Sequence, residues 1–151
     1  MRRCIPNITI GLIDGLTIPF ALACGLSSII VDSKTIFISC LAILIAYSIT
    51  MTAGAYLSAD KQPEGNALAA ALTIGISYIA GGILVAVPFY FINIPMHALS
   101  YSASMAIPAL FIAGYFDSRY QAANAWAGAV RVSLTGIIAG AAAFWIAGLF
   151  R

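Results

Sequence analysis

Five long apolar stretches separated by short polar clusters make up almost the whole of the chain. The charged clusters are Arg2-Arg3, Asp32-Ser33-Lys34, residues 60–64 and residues 117–119, and these are the expected loops. About 20 apolar residues suffice for a helix to cross the hydrocarbon layer. The pattern therefore predicts transmembrane helices over residues 8–31, 35–58, 67–91, 98–116 and 126–150, with little left outside the membrane. Spans of a β-barrel would alternate apolar and polar residues over about ten positions, which the run 36–46 does not do. The expected fold is an all-α integral membrane protein of five transmembrane helices, forming one domain over residues 1–151.

Composition agrees with that pattern. With 62% hydrophobic and 8% charged side chains, the chain lacks the polar groups a water-soluble domain of this size needs on its surface. Its solvent is lipid. A net charge of +2 is too small to suggest a nucleic-acid partner. Cys4, Cys24 and Cys40 have no paired spacing and read as small apolar residues. The segment from Met1 to Cys24 loosely resembles a lipoprotein signal, but Asp14 and Pro19 interrupt its apolar core, which continues beyond Cys24. The distribution of Lys and Arg sets orientation. Arg2, Arg3, Lys61, Arg119 and Arg131 fall on one face, against Lys34 and Arg151 on the other. This favours a cytoplasmic N-terminus and an extracytoplasmic C-terminus, in either a plasma membrane or an organelle. Arg131 is expected to extend to the headgroups, and His97, after Pro95, to sit in a solvated connection. No Ser-His-Asp set, phosphate loop or paired carboxylates point to an enzyme, and nothing points to a cofactor.

Candidate chemistry centres on Asp14, about two turns into the first span. A lone carboxylate there costs up to about 2.5–3.5 kcal/mol on insertion scales, so a compensating environment is expected. Gly11 and Gly15 form a Gly-x-x-x-Gly pair beside it that lets another helix approach closely. Pro19 has no N–H for the Gly15 carbonyl and tends to kink the helix. A carboxylate and a free carbonyl together suit Mg²⁺, Ca²⁺, Mn²⁺ and, less selectively, Fe²⁺. In the second span Tyr47, Met51, Gly54 and Ser58 share one helical face, where the Met51 thioether would favour a softer ion. Gly75, Tyr78, Gly81 and Gly82 in the third span, with Gly136 and Gly140 in the fifth, read as packing surfaces.

Gly11-Leu12-Ile13-Asp14-Gly15-Leu16, followed by Met51-Thr52-Ala53-Gly54-Ala55-Tyr56-Leu57-Ser58, resembles the paired signatures of the vacuolar iron transporter family. Ser77-Tyr78-Ile79-Ala80-Gly81-Gly82 with Pro88, and Gly128-Ala129-Val130-Arg131, extend the resemblance over nearly the whole chain. It implies a five-helix protomer in a two-fold homodimer, a cation pathway between protomers, and export of Fe²⁺ or Mn²⁺ from the cytosol coupled to proton entry. Asp14 and Met51 fall where the family places metal ligands within the membrane. Three departures stand out. Ala55 occupies the place of a family Glu, Ile13 replaces an Asn, and the loop of residues 60–66 is too short for the helical cytosolic metal-binding domain that many members insert there.

If two copies met across the Gly11–Gly15 face, their symmetry would appose the two Asp14 carboxylates. Two such charges in low dielectric do not both persist without a cation, so metal and proton would compete for one site. The alternative reading is a non-transporting dimeric membrane scaffold, in which the glycine faces pack and Asp14 bonds across helices.

Overall fold

The computed structural model describes residues 4–59 and 67–150. They form α1 (Cys4–Ile29), α2 (Ser33–Ala59), α3 (Ala67–Phe91), α4 (Pro95–Tyr120) and α5 (Ala125–Gly148), with no strand among the described residues. All five helices are long and apolar enough to cross a membrane. This is a multi-pass α-helical membrane protein, as the hydrophobic pattern predicts.

The ends of the elements differ from expectation because polar residues cap or finish helices instead of forming loops. Asp32 accepts from the Thr35 backbone N–H at 3.0 Å and the Thr35 hydroxyl at 2.7 Å, so it starts α2 in the manner of an N-cap. Pro95 sits at the start of α4, where its missing N–H costs nothing, and His97 accordingly lies in the first helical turn, exposed. Asp117, Ser118 and Arg119 belong to the last turn of α4. That helix closes with Ala122 at φ 56°, Ala122 N–H bonding the Arg119 carbonyl and Ala123 N–H the Ser118 carbonyl. This is a Schellman closure with alanine in the position usually given to glycine. Asn124 then caps α5 through the N–H groups of Trp126 and Ala127. The clusters at residues 2–3 and 60–64, with Lys61 and Arg151, lie outside the described residues.

α1 is the centre of the bundle and touches all four other helices, α3 most extensively. Glycine makes this possible. Gly11 faces the backbone at Ile74 and the side chain of Ser77, Gly15 faces the backbone of Tyr78, and Gly81 returns the contact against Leu12 and Gly15. α5 lies against α1 where Gly140 meets Phe20 and Cys24, and against α4 where Gly128 meets Ser118 and Gly114. Two buried clusters fill the interior. One holds Leu16, Phe20, Cys24, Val85, Ala106 and Leu110; the other holds Ala23, Ile36, Cys40, Ala86, Phe89 and Ala98. Large apolar residues such as Ile38, Ile49, Ile138 and Trp145 point outward instead, as expected where lipid is the solvent.

Prolines lie inside α1, α3 and α4, at Pro19, Pro88 and Pro108. Side chains from neighbouring helices meet the backbone at two of these points. The Cys40 thiol donates to the Pro19 carbonyl at 3.9 Å, and the buried Ser102 hydroxyl donates to the Val85 carbonyl at 2.9 Å.

A Cβ at position 15 would overlap the Tyr78 carbonyl, which is backbone and unable to rotate away. Gly15→Ala is therefore expected to cost about 1–3 kcal/mol or more through overpacking, measured as a lowered melting temperature in detergent. Gly148→Ala, with open space around it, should leave the melting temperature unchanged. The hydrogen bonds from Thr35 hold the exposed Asp32 carboxyl below the usual carboxylate range. A depressed folded-state pKa means that the stabilisation exists above the unfolded value and is lost as pH falls through the folded one. Asp32→Ala should accordingly melt below wild type at pH 7, with the difference closing as the pH is lowered below that range.

Candidate functional site

Asp14 lies where α1 meets α3. Its position on α1, between the two glycines that bring α3 to van der Waals contact, leaves the carboxylate half-buried at the edge of the α1–α3 seam. From α3, the Tyr78 hydroxyl comes within electrostatic reach of Asp14 and of Tyr47 on α2. The Tyr47 and Tyr78 rings stack with centroids 6.2 Å apart and planes 12° from parallel. Tyr78 is fully buried, and its hydroxyl has no hydrogen-bond partner within the described chain. Leaving such a group unpaired costs about 1–3 kcal/mol. The hydroxyl is thus a donor and acceptor available to whatever occupies the space beside Asp14.

Beyond Tyr47, whose ring stacks on Tyr78, the α2 face carrying Met51, Gly54 and Ser58 is not enclosed by the described chain. Tyr47, Gly54 and Ser58 are exposed, Met51 and Ala55 half-buried, and nothing lies near Gly54. α1 also keeps one sector uncovered. Asn7, Ile10, Asp14, Thr17 and Ala21 follow one another at intervals of three and four, one side of a helix, and all are exposed or half-buried. Leu16, Pro19, Phe20 and Ala23, on the other side, are enclosed. Further along, a groove of about 390 Å³ lies between α1 and α5, lined by residues that include Ala21, Gly25, Ala143 and Ala147.

These positions revise two expectations. The close approach permitted by Gly11 and Gly15 is made by α3 of the same chain, so that face is filled and cannot be where two copies meet. Tyr78, expected only to pack, also carries a buried, unpartnered hydroxyl within electrostatic reach of Asp14. Its sequence context, an apolar helix rich in glycine, carries no mark of that role. Pro19 is buried inside a continuous α1, as its place in the run suggests. Among the described residues no three His, Cys, Asp or Glu side chains gather into a metal cluster.

Fold and site define a multi-pass membrane protein with one acidic side chain set among its central helices. The VIT family model matches residues 5–67 and 60–148, which covers nearly all of the sequence, and the chain belongs to that family. It is 25% identical to "Vacuolar iron transporter 1" of Tulipa gesneriana over 95% of this chain and 85% of that protein. It is 28% identical to "Vacuolar iron transporter" of Centaurea cyanus over 95% and 86%, and 25% identical to "Protein CCC1" of Saccharomyces cerevisiae over 95% and 68%. The alignment with the tulip protein extends over 211 residues, more than the 151 of this chain. That relative therefore contains sequence with no counterpart here. The two family matches overlap at residues 60–67, between the end of α2 and the first residue of α3.

Tyr78→Phe removes the buried hydroxyl without changing the ring. In the absence of any ligand this substitution is expected to leave the melting temperature unchanged or to stabilise by about 1 kcal/mol; a clear fall would show that the hydroxyl already has a partner in the protein.

Proposed function

We propose that this protein carries a divalent transition-metal ion, Fe²⁺ or Mn²⁺, across its membrane, with Asp14 as the principal ligand and Met51 as a softer second one. The observation that carries the reading is the placement of Asp14 on the uncovered sector of the central helix, beside the unpartnered Tyr78 hydroxyl. A carboxylate on such a sector is untenable against acyl chains. A homodimer removes the conflict. Two copies meeting through the open α1 sector and the open α2 face, rather than through the glycines now packed on α3, would bring two Asp14 residues and two Met51 residues towards one axis. Two carboxylates balance one dication, and protons compete with it for the same oxygens. Membership of the VIT family and the names of the relatives, iron transporters among them, support the metal.

Alternating exposure of that site to the two faces would make the competition an exchange of metal for protons, with export from the cytosol and the N-terminus on the cytoplasmic side. The dimeric scaffold reading accounts equally for the glycine packing but leaves the open polar sector without a purpose.

The test is reconstitution in liposomes containing a metal-sensing dye. Wild type is expected to take up Fe²⁺ and Mn²⁺. Asp14→Asn should lower the initial rate at least about ten-fold, equivalent to losing 1.4 kcal/mol of stabilisation, and Met51→Ala should lower it less. An imposed pH gradient should change the wild-type rate. Uptake by Asp14→Asn at the wild-type rate removes the assignment, and a rate indifferent to the pH gradient removes the exchange.

A further inference from the structure

Thr9 makes a contact that distinguishes it among the threonines of the bundle. Thr17, Thr50, Thr73 and Thr135 each donate to the carbonyl four residues back in their own helix. Thr9, buried near the start of α1, reaches across the bundle, and its hydroxyl donates to Oδ1 of Asp117 at 2.9 Å. The acceptor is oddly placed. Asp117 occupies the last turn of α4, where the negative end of the helix dipole disfavours a carboxylate. Two donors offset that: Thr9 on one oxygen and the Gln121 side-chain amide on the other, at 2.8 Å.

Asp117 belongs to a stiff unit. The Schellman closure at Ala122, the Asn124 cap and the Ser118–Gly128 contact fix the α4–α5 hairpin around it. One carboxylate oxygen is thus tied to its own hairpin and the other to α1. Along α1, Asp14 follows Thr9 by five residues, about 7.5 Å of helix. The glycine seam holds α1 against α3 by close packing, which has little directional preference. A hydrogen bond to a charged group is directional and stronger than a neutral one, so the Thr9–Asp117 bond fixes the rotation and height of this half of α1 against the hairpin.

We propose that Asp117, acting through Thr9, is a positioning residue for Asp14, holding the carboxylate at the angle on the open sector at which it binds metal. This rests on the reading of Asp14 as a metal ligand. The measurement is thermal melting of the purified full-length protein across a Mn²⁺ titration, since a ligand specific to the folded state raises apparent stability. Thr9→Val and Asp117→Ala are each expected to raise the Mn²⁺ concentration for half-maximal stabilisation about ten-fold or more, as small displacements of a site residue do. Thr9→Ser keeps the donor and should respond like wild type, whereas Asp117→Asn keeps the acceptor without its charge and should fall between wild type and Asp117→Ala. The Thr9→Val/Asp117→Ala double variant should be no worse than the more affected single one, because both remove one interaction. A lowered metal-free melting temperature with an unchanged Mn²⁺ response in Thr9→Val would make the bond a structural tie only and overturn the proposal. So would an Asp117→Asn response as poor as that of Asp117→Ala, which would mean that the charge itself acts on the metal. A wild type with no Mn²⁺ response sinks the metal-site reading first and this proposal with it, an outcome distinct from either of the others.

Discussion

The contact between α1 and α3 is the constraint on which the rest of the molecule depends. A five-helix bundle of 151 residues has little interior, and an acidic residue can be sheltered only if its helix lies at the centre. Gly11 and Gly15 from one side and Gly81 from the other let two backbones meet without side chains between them. In lipid this is the main source of association, since apolar side chains gain nothing by leaving one hydrocarbon environment for another. With α1 drawn in, α4 and α5 pack on its far side around Leu16, Phe20 and Leu110. One sector is left over, and Asp14 lies on it.

That arrangement separates two roles that adjacent residues of one helix can play. Gly15 serves cohesion, and Asp14, one position earlier and a quarter-turn round the helix, keeps its carboxylate only half-buried. Tyr78 joins them, since it supplies the backbone against which Gly15 packs and a hydroxyl within electrostatic reach of Asp14. A substitution at Tyr78 that altered its backbone position would therefore disturb the seam and the site together, whereas loss of the hydroxyl touches only the site.

Much of the fold was legible in the sequence because span length and hydrophobicity are local properties. The existence of five helices needed no knowledge of what they touch. Their ends were less legible: Asp32, Pro95 and residues 117–119 look like loop residues by charge and composition, yet one caps a helix, one begins a helix and three finish one. Asp14 stood out because a charge in an apolar run is energetically anomalous wherever the helix lies. The Gly-x-x-x-Gly spacing announced a close approach but not its partner, since helix pairing depends on every face at once and α3 proved to be the neighbour. Tyr78 and the Thr9–Asp117 bond were hidden for the same reason. An unpaired hydroxyl, or a bond spanning 108 positions, exists only once the helices have been placed.

The prolines inside the helices carry one mechanical consequence. Cys40 of α2 is bonded to the α1 carbonyl at Pro19, and Ser102 of α4 to the α3 carbonyl three residues before Pro88. Each deformable point in one helix is thus stitched to a rigid stretch of its neighbour. Flexing of α1 would drag α2 with it, and flexing of α3 would drag α4. Because the glycine seam in turn joins α1 to α3, a bend in either helix would be passed on to all four, and α5, which packs on α1 and α4 among the described residues, would follow.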